Sequence, residues 1–513
     1  MSDVEDDSVR ARGVRIVVTL AALFVALLHL SAITRYGYFR DEMYYLACAQ
    51  HPAFGYVDHP PLSIALLGAV RATLGTSLVA LRLVPLLANV ATLVLTGAMV
   101  RALRGGAFAA AVACVTLGLA PVFLAFGHFY SMNALDAFFW ALAAWLFWRV
   151  LEAPTTKRWC VLGVVLGLAL ENKASVLWLG AGIAVALIAY RRPLLATRGP
   201  WLAATIAGLL LAPNVLWEIA HGWPTIEFAK NAMEGKYKAH SVFGFFADVA
   251  DEMSPASMPV FAIGVVAPFA MRRLHAWRPL ACIVATTTLI LAVSRTAKAE
   301  YLAAAFPIAF APAGVAVEAW LARWRRVRWG VLAPIVARAA LSVPFVVPIL
   351  SVNRFIAYEA ALGATPNSAE KKEMGPLPQL YADMFGWNEL ADAAAVAAAT
   401  LTPDERAHAA VLSRSGYGAA SAIELLGPSR GLPHGISGHN NFYLWGPREA
   451  DGRAMIILGG ERSWVEERFA SVTEVTTFDC ALCMPYERHK TIFVARGMKQ
   501  PLADFWKDRR YFE

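Results

Sequence analysis

Two acids stand side by side at Asp41 and Glu42, and an acid and a histidine at Asp58 and His59. The stretch reads Tyr36-Gly37-Tyr38-Phe39-Arg40-Asp41-Glu42-Met43-Tyr44-Tyr45, then Gly55-Tyr56-Val57-Asp58-His59-Pro60-Pro61. A positioned carboxylate can take the proton from a reacting hydroxyl or amine. Further along come Asp136, then Glu171 and Lys173, then Arg295, Lys298 and Glu300. Cations of this kind stabilise negative charge as it develops on a phosphate leaving group. All of these residues sit within or beside long apolar runs, where ionisable groups are costly and mark function. Each alone reads as an ordinary interfacial charge; their grouping points to a site.

The elements that must position them are membrane spans. The 513 residues are 58% hydrophobic and 16% charged, with mean hydropathy +0.50. Soluble domains carry about a quarter charged residues, so that class is excluded, as are disordered and fibrous chains. Apolar runs near 14–35, 78–100, 106–127, 132–150, 159–172, 174–190, 200–220, 257–271, 279–294, 301–321 and 329–351 predict about eleven spans. The first run is too long for a signal-peptide core and lacks a small-residue cleavage site, so it reads as a retained anchor.

Charge orients the set. Arg10, Arg12 and Arg15 precede the first span. Alternate loops carry Arg101 and Arg104; Arg149, Lys157 and Arg158; Arg191, Arg192 and Arg198; Arg272, Arg273 and Arg278; and Arg323, Arg325, Arg326 and Arg328. This positive-inside pattern predicts a cytoplasmic N-terminus and places everything after residue 352 on the opposite side. The net charge of +8 is thereby read as membrane orientation, with no nucleic-acid partner. Residues 60–75 are apolar but short, and Arg71 interrupts them. A span there would turn every later arginine loop outward, so a helix lying in the outer interface is expected. On this topology the acids and bases above share the outer face.

After Asn353 the composition changes to that of a small α/β domain. Strands are expected at Ala409–Ser413, Ala454–Leu458 and Thr491–Ala495, and helices at Leu390–Leu401 and Gly418–Leu426. Six cysteines in a chain this long form no disulfide framework. Cys480 and Cys483 nevertheless read first as a structural disulfide in an oxidising compartment. The expected division is residues 1–352, with outer loops 36–77 and 222–256, followed by an extracytoplasmic domain at 353–513.

The first outer loop resembles the polyprenyl-phosphate-dependent glycosyltransferases of the GT-C class, in the branch of the protein O-mannosyltransferases and the lipid A aminoarabinose transferases. An Asp-Glu pair after the first span and a Tyr-x-Asp-His-Pro-Pro-like segment carry the resemblance. It continues at Asn214-Val215-Leu216-Trp217-Glu218, at His221-Gly222-Trp223-Pro224-Thr225-Ile226-Glu227-Phe228, and at Lys298-Ala299-Glu300-Tyr301 with Pro307. The tail segment Gly438-His439-Asn440-Asn441-Phe442-Tyr443-Leu444-Trp445-Gly446-Pro447 also matches bacterial members. It reads either as a sugar-stacking surface or as packed domain core.

The resemblance implies a GT-C fold and an inverting transfer of sugar from a polyprenyl-phosphate donor to a lipid or protein acceptor of the cell envelope, at the bacterial inner membrane. Asp41 is the implied base, with Asp136 either the second acid of the class, binding acceptor or metal, or an anchor of a helix end. Glu42 is either catalytic or a helix cap. Lys298 and Tyr301 match the phosphate-contacting segment, with Lys173, His59 and Tyr56 as companions. Ala303 and Ala304 stand in a stretch where the family often has a proline. A divalent metal ion held by Asp58 and His221 is the alternative to no cofactor at all. Two other functions remain open: a lipid or sugar flippase, to which His29, His128 and Arg338 within spans would be relevant, and a non-catalytic envelope assembly protein.

Overall fold

The structure is a computed structural model and describes residues 2–324, 326–366, 368 and 370–513. Arg325, counted above among the cytoplasmic arginines, lies outside the described residues. The chain forms two compact units. The first takes the chain up to Ile33, Val79–Trp217 and Ala239–Ile349. The second is assembled from Thr34–Leu78, Glu218–Lys238 and Leu350–Glu513. The Asp-Glu loop therefore groups with the C-terminal residues.

The first unit is helical, as its apolar runs require. Among the described residues, seven helices are long and apolar enough to cross a bilayer: Asp7–Leu30, Leu78–Ala102, Met132–Glu152, Arg198–Ala220, Arg272–Val293, Ala299–Trp320 and Arg328–Val346. Two helix pairs bend sharply, Ala107–Gly118 with Pro121–His128 by 63° and Val242–Met253 with Pro255–Ala270 by 100°. Counting each pair as one span gives up to nine, fewer than the eleven read from hydropathy. The difference lies in two runs. Thr156–Leu170 and Val176–Tyr190 are helices of 15 residues each. At 1.5 Å per residue each rises about 22 Å, short of a hydrocarbon core of about 30 Å.

Several polar groups inside this unit are satisfied locally. The Glu318 carboxylate accepts the Gly106 and Ala109 N–H groups at 2.8 and 3.3 Å, capping helix Ala107–Gly118. The buried Arg82 donates to the Ile33 carbonyl at 3.0 Å. Helices approach closely where glycine allows it: a Cβ on Gly314 would collide with the Ala109 carbonyl. His29 and His128 are buried and stack on each other at 5.9 Å. Ala303 and Ala304 lie buried in a 3₁₀ turn, Ala299–Ala305, that leads into helix Phe306–Trp320.

The second unit holds a five-stranded sheet: β1 (Ala410–Ser413), β2 (Gly435–Ile436), β3 (Ala454–Leu458), β4 (Phe469–Phe478) and β5 (Lys490–Met498). The order is β2-β1-β3-β5-β4. β1 runs parallel to β2 and β3, while β5 is antiparallel to β3 and β4. β1 and β3 are buried throughout because both faces are covered. Helices Trp387–Ala398 and Tyr417–Leu426 pack on one face, through Leu390, Ala394 and Ile423 against Val411 and Ile456. Phe505 and Trp506 fill the other against Leu412, Ile457 and Phe493. The three expected strands and both expected helices are present; β2 and β4 were not foreseen. Residues Leu62–Leu74 form the helix expected after Pro60, and Cys480 and Cys483 are joined by a disulfide.

Candidate functional site

Asp41 lies in the first turn of helix Arg40–Gln50, where the helix dipole favours an acid. The helix begins there because the Glu42 carboxylate accepts the Phe39 N–H at 2.9 Å. Glu42, expected to be either catalytic or a cap, thus caps the helix and is fully buried. Asp41 is held differently. Its Oδ1 accepts the Tyr417 hydroxyl at 2.8 Å and the Arg40 Nε–H at 3.3 Å. Its side chain stays one-third exposed, so Asp41 is fixed yet open to a reactant.

Arg40 is itself locked. Its guanidinium donates to the Tyr486 hydroxyl at 2.8 Å, pairs with Asp383 at 3.3 Å and lies 5.3 Å from the centre of the Tyr417 ring. Its backbone N–H bonds the Asp383 carbonyl at 3.0 Å. Residues far along the chain thus close around the helix that carries the candidate base. Sequence reading missed Asp383, Tyr417 and Tyr486: nothing in their local patterns marks them as partners of a loop hundreds of positions earlier.

Asp58 belongs to a second network in the same unit. It accepts the Tyr44 hydroxyl at 2.8 Å and the Asn441 amide at 3.3 Å, with His59 Nε2 at 3.7 Å. Asn441 also donates to the Tyr44 hydroxyl and accepts the Val57 N–H at 3.0 Å. Burial pushes the Asp58 carboxyl above its ordinary range, and His59 pulls it the other way. Burial likewise raises the Tyr44 phenol. The tail motif read as sugar-binding surface or domain core therefore packs on the first loop through Asn441; the Tyr44 ring also lies tilted against Tyr417 at 4.5 Å, and His439 Nε2 meets the Glu513 carbonyl at 2.8 Å.

Tyr56 and His59 are buried, and their contacts are with the loop itself. The Tyr56 hydroxyl bonds the backbone at Ala53 and His51, and His59 Nδ1 lies 3.2 Å from the Pro60 carbonyl. Thr225, from the second motif, bonds Glu218 Oε1 at 2.5 Å and the Tyr56 carbonyl at 3.4 Å. His221 lies in the turn after helix Arg198–Ala220, its N–H bonded to the Glu218 carbonyl. Among the described residues, no three His, Cys, Asp or Glu side chains gather to hold a metal ion. The Asp58 carboxylate is engaged by Tyr44 and Asn441.

The remaining predicted residues cluster in the first unit. Ser131 caps helix Met132–Glu152 by accepting the Asn133 N–H at 3.2 Å. One turn in, Asp136 accepts the Ser175 hydroxyl at 2.7 Å and pairs with Lys173 at 3.5 Å. Lys173 also donates to Asn133 Oδ1 at 2.7 Å, and its ammonium stands 4.9 Å over the Tyr301 ring. Lys298 pairs with Glu300 at 3.6 Å. Asp136, Lys173 and Tyr301 thus form one connected cluster. Asp136 anchors the turn that carries Lys173 to the start of its own helix.

Three comparisons bear on these arrangements. A sequence model of the dolichyl-phosphate-mannose-protein mannosyltransferase family matches residues 58–217, a stretch that includes Asp58, His59, Asp136 and Lys173. The lipid A galacturonosyltransferase RgtD of Rhizobium johnstonii is 26% identical over 200 residues, 38% of this chain and 41% of the relative. The match thus spans less than half of that relative's length. Crystal structures of ArnT from Cupriavidus metallidurans, one bound to undecaprenyl phosphate and one in the apo state, superpose with a TM-score of 0.58 at 15% identity. With the bound form the match covers 93% of this chain and 97% of ArnT. The chain is a multi-pass α-helical membrane protein with the GT-C fold and a small C-terminal sheet domain. The resemblance is met by the family model over residues 58–217 and by the fold.

Proposed function

We propose that this chain is an inverting membrane glycosyltransferase that moves a sugar from a polyprenyl-phosphate donor to a lipid or protein acceptor of the cell envelope. The observation that carries the reading is Asp41: a carboxylate oriented by Tyr417 and Arg40 yet left open to a reactant, in the motif of a chain with the GT-C fold. The family match and the similarity to RgtD support the same class. The membrane is the bacterial inner membrane, with the N-terminus cytoplasmic and the C-terminal residues outside, as the alternating arginines indicate.

Asp41 takes the proton from the acceptor hydroxyl or amine as that atom attacks the anomeric carbon. The bond from that carbon to the phosphate oxygen breaks, and its electron pair leaves with the polyprenyl phosphate. Attack opposite the leaving group inverts the carbon, through an oxocarbenium-like state. Lys173, Lys298 and Tyr301 are assigned to the phosphate, whose growing charge needs fixed cations and donors. Tyr56, His59 and the Asp58 network hold the loop that presents Asp41.

The test is mass spectrometry of envelope lipids and proteins from a strain lacking the gene, complemented with wild type or with Asp41→Asn. A sugar should disappear in the deletion, return with wild type and stay absent with the variant, although the variant reaches the membrane in normal amount. Full restoration by Asp41→Asn would remove Asp41 from the chemistry.

A further inference from the structure

Strands β1 and β3 are parallel neighbours, yet the chain leaves them in opposite directions. From β1 it passes through helix Tyr417–Leu426 to β2 on one side; from β3 it passes through helix Arg462–Arg468 to β4 on the other. Such a switch point opens a crevice beyond the carboxyl ends of the strands, where open α/β sheets take their ligands. The loops at those ends are Arg414-Ser415-Gly416 after β1 and Gly459-Gly460-Glu461 after β3.

Three arginines converge there on one indole. The guanidinium of Arg414 lies 3.9 Å from the centre of the Trp464 ring, that of Arg468 4.4 Å and that of Arg509 5.7 Å. Gly459 and Gly460 both have positive φ, 76° and 102°, and a Cβ on Gly460 would run into the Arg414 guanidinium. The turn after β3 is thus shaped to receive that head group. At the start of β5, Lys490 donates to Ser415 Oγ at 2.5 Å and pairs with Glu487.

Acids lie near the cluster, but only one of them pairs directly with it. Arg468 pairs with the exposed Glu467 at 2.9 Å. Glu461 is the acid that acts on Arg414, and Asp508 is the one that acts on Arg509. Among the described residues neither Arg414 nor Arg509 forms an ion pair, and Arg509 Nε is shielded from water without a hydrogen-bond partner. Arg414 is exposed, so the cluster is open to a solute.

We propose that this crevice binds a phosphomonoester through Arg414, Arg468 and Arg509. A tetrahedral dianion can accept from several guanidiniums at once, whereas a planar carboxylate is matched by one fork. The phosphate group belongs either to a soluble molecule or to a lipid head, and the two are separable by experiment. The proposal rests on contacts within the sheet domain and stands or falls without the glycosyl-transfer reading.

The full-length protein in phosphatidylcholine nanodiscs is titrated calorimetrically, at constant ionic strength, with inorganic phosphate and with dihexanoyl phosphatidic acid. At least one should bind saturably. That binding should weaken about tenfold or more in Arg414→Gln and in Arg509→Gln, each of which removes charged hydrogen bonds to the anion. Arg462→Gln, an exposed arginine paired with Glu466, should leave it unchanged. Tighter binding of the lipid monoester assigns a lipid head, and equal or tighter binding of phosphate assigns a soluble source. Arg414 is exposed, and an unchanged thermal midpoint of Arg414→Gln checks that its replacement leaves the fold intact. Absence of saturable binding by both probes, or binding that survives both substitutions, overturns the proposal.

Discussion

A carboxylate that must act as a base has to be aimed without being consumed by its neighbours. Asp41 meets both demands, since one oxygen is engaged by Tyr417 and Arg40 while a third of the side chain remains exposed. The Tyr417 hydroxyl makes a charge-assisted bond, a kind that contributes about 1.5–3 kcal/mol. Tyr417→Phe keeps the ring that lies against Tyr44 and removes only that donor. We therefore expect sugar transfer in membranes to slow about tenfold or more at unchanged apparent donor KM. A rate equal to wild type would show that the hydroxyl does not orient the base. Asp41 was legible in the sequence because its neighbourhood forms a dense local motif. Its partners were not, since Tyr417 stands 376 positions away and Tyr486 lies 446 from Arg40. Local pattern cannot encode pairings that only the folded sheet domain creates.

At the scale of elements, the sheet domain shows which strands announce themselves. β1, β3 and the centre of β5 are short apolar runs because both faces are buried. Between its buried ends Phe469 and Phe478, β4 is mostly Ser, Thr, Glu and Val at exposed or half-exposed positions, so its pairing with β5 left no hydrophobic signature. One contact of helix Tyr417–Leu426 predicts a pH response. Glu424 accepts the Gly435 N–H of β2 at 2.9 Å and faces His434 at 3.1 Å. That hydrogen bond raises the His434 pKa above 6.5, against partial burial. A raised folded-state value means the pair stabilises fully below pH 6.5, and the contribution fades as pH rises through the His434 value. The half-exposed imidazole keeps the effect modest. His434→Gln should lower the thermal midpoint at pH 5.5 and leave it nearly unchanged at pH 9; an equal loss at both would refute the ion pair.

For the whole molecule, hydropathy recovered the membrane class and most spans; two of the eleven runs form helices of 15 residues, shorter than a full crossing. Length in residues was visible; the bends at Pro121 and Pro255 and the shortness of those helices were not. Topology is testable at Ala65, exposed on helix Leu62–Leu74. With Cys160 and Cys282 replaced, because they are not fully buried, Ala65→Cys should react with a membrane-impermeant maleimide in intact spheroplasts. Labelling only after lysis would place the loop in the cytoplasm and reverse the orientation. The make-up of the second unit also bears on biosynthesis. Its first segment, Thr34–Leu78, joins Leu350–Glu513, which the ribosome has yet to make when that segment emerges. At 5–20 residues per second the wait is on the order of tens of seconds. Until then the helix bearing Asp41 lacks the residues that fix it, so a truncated or stalled chain would carry the acid without its orientation.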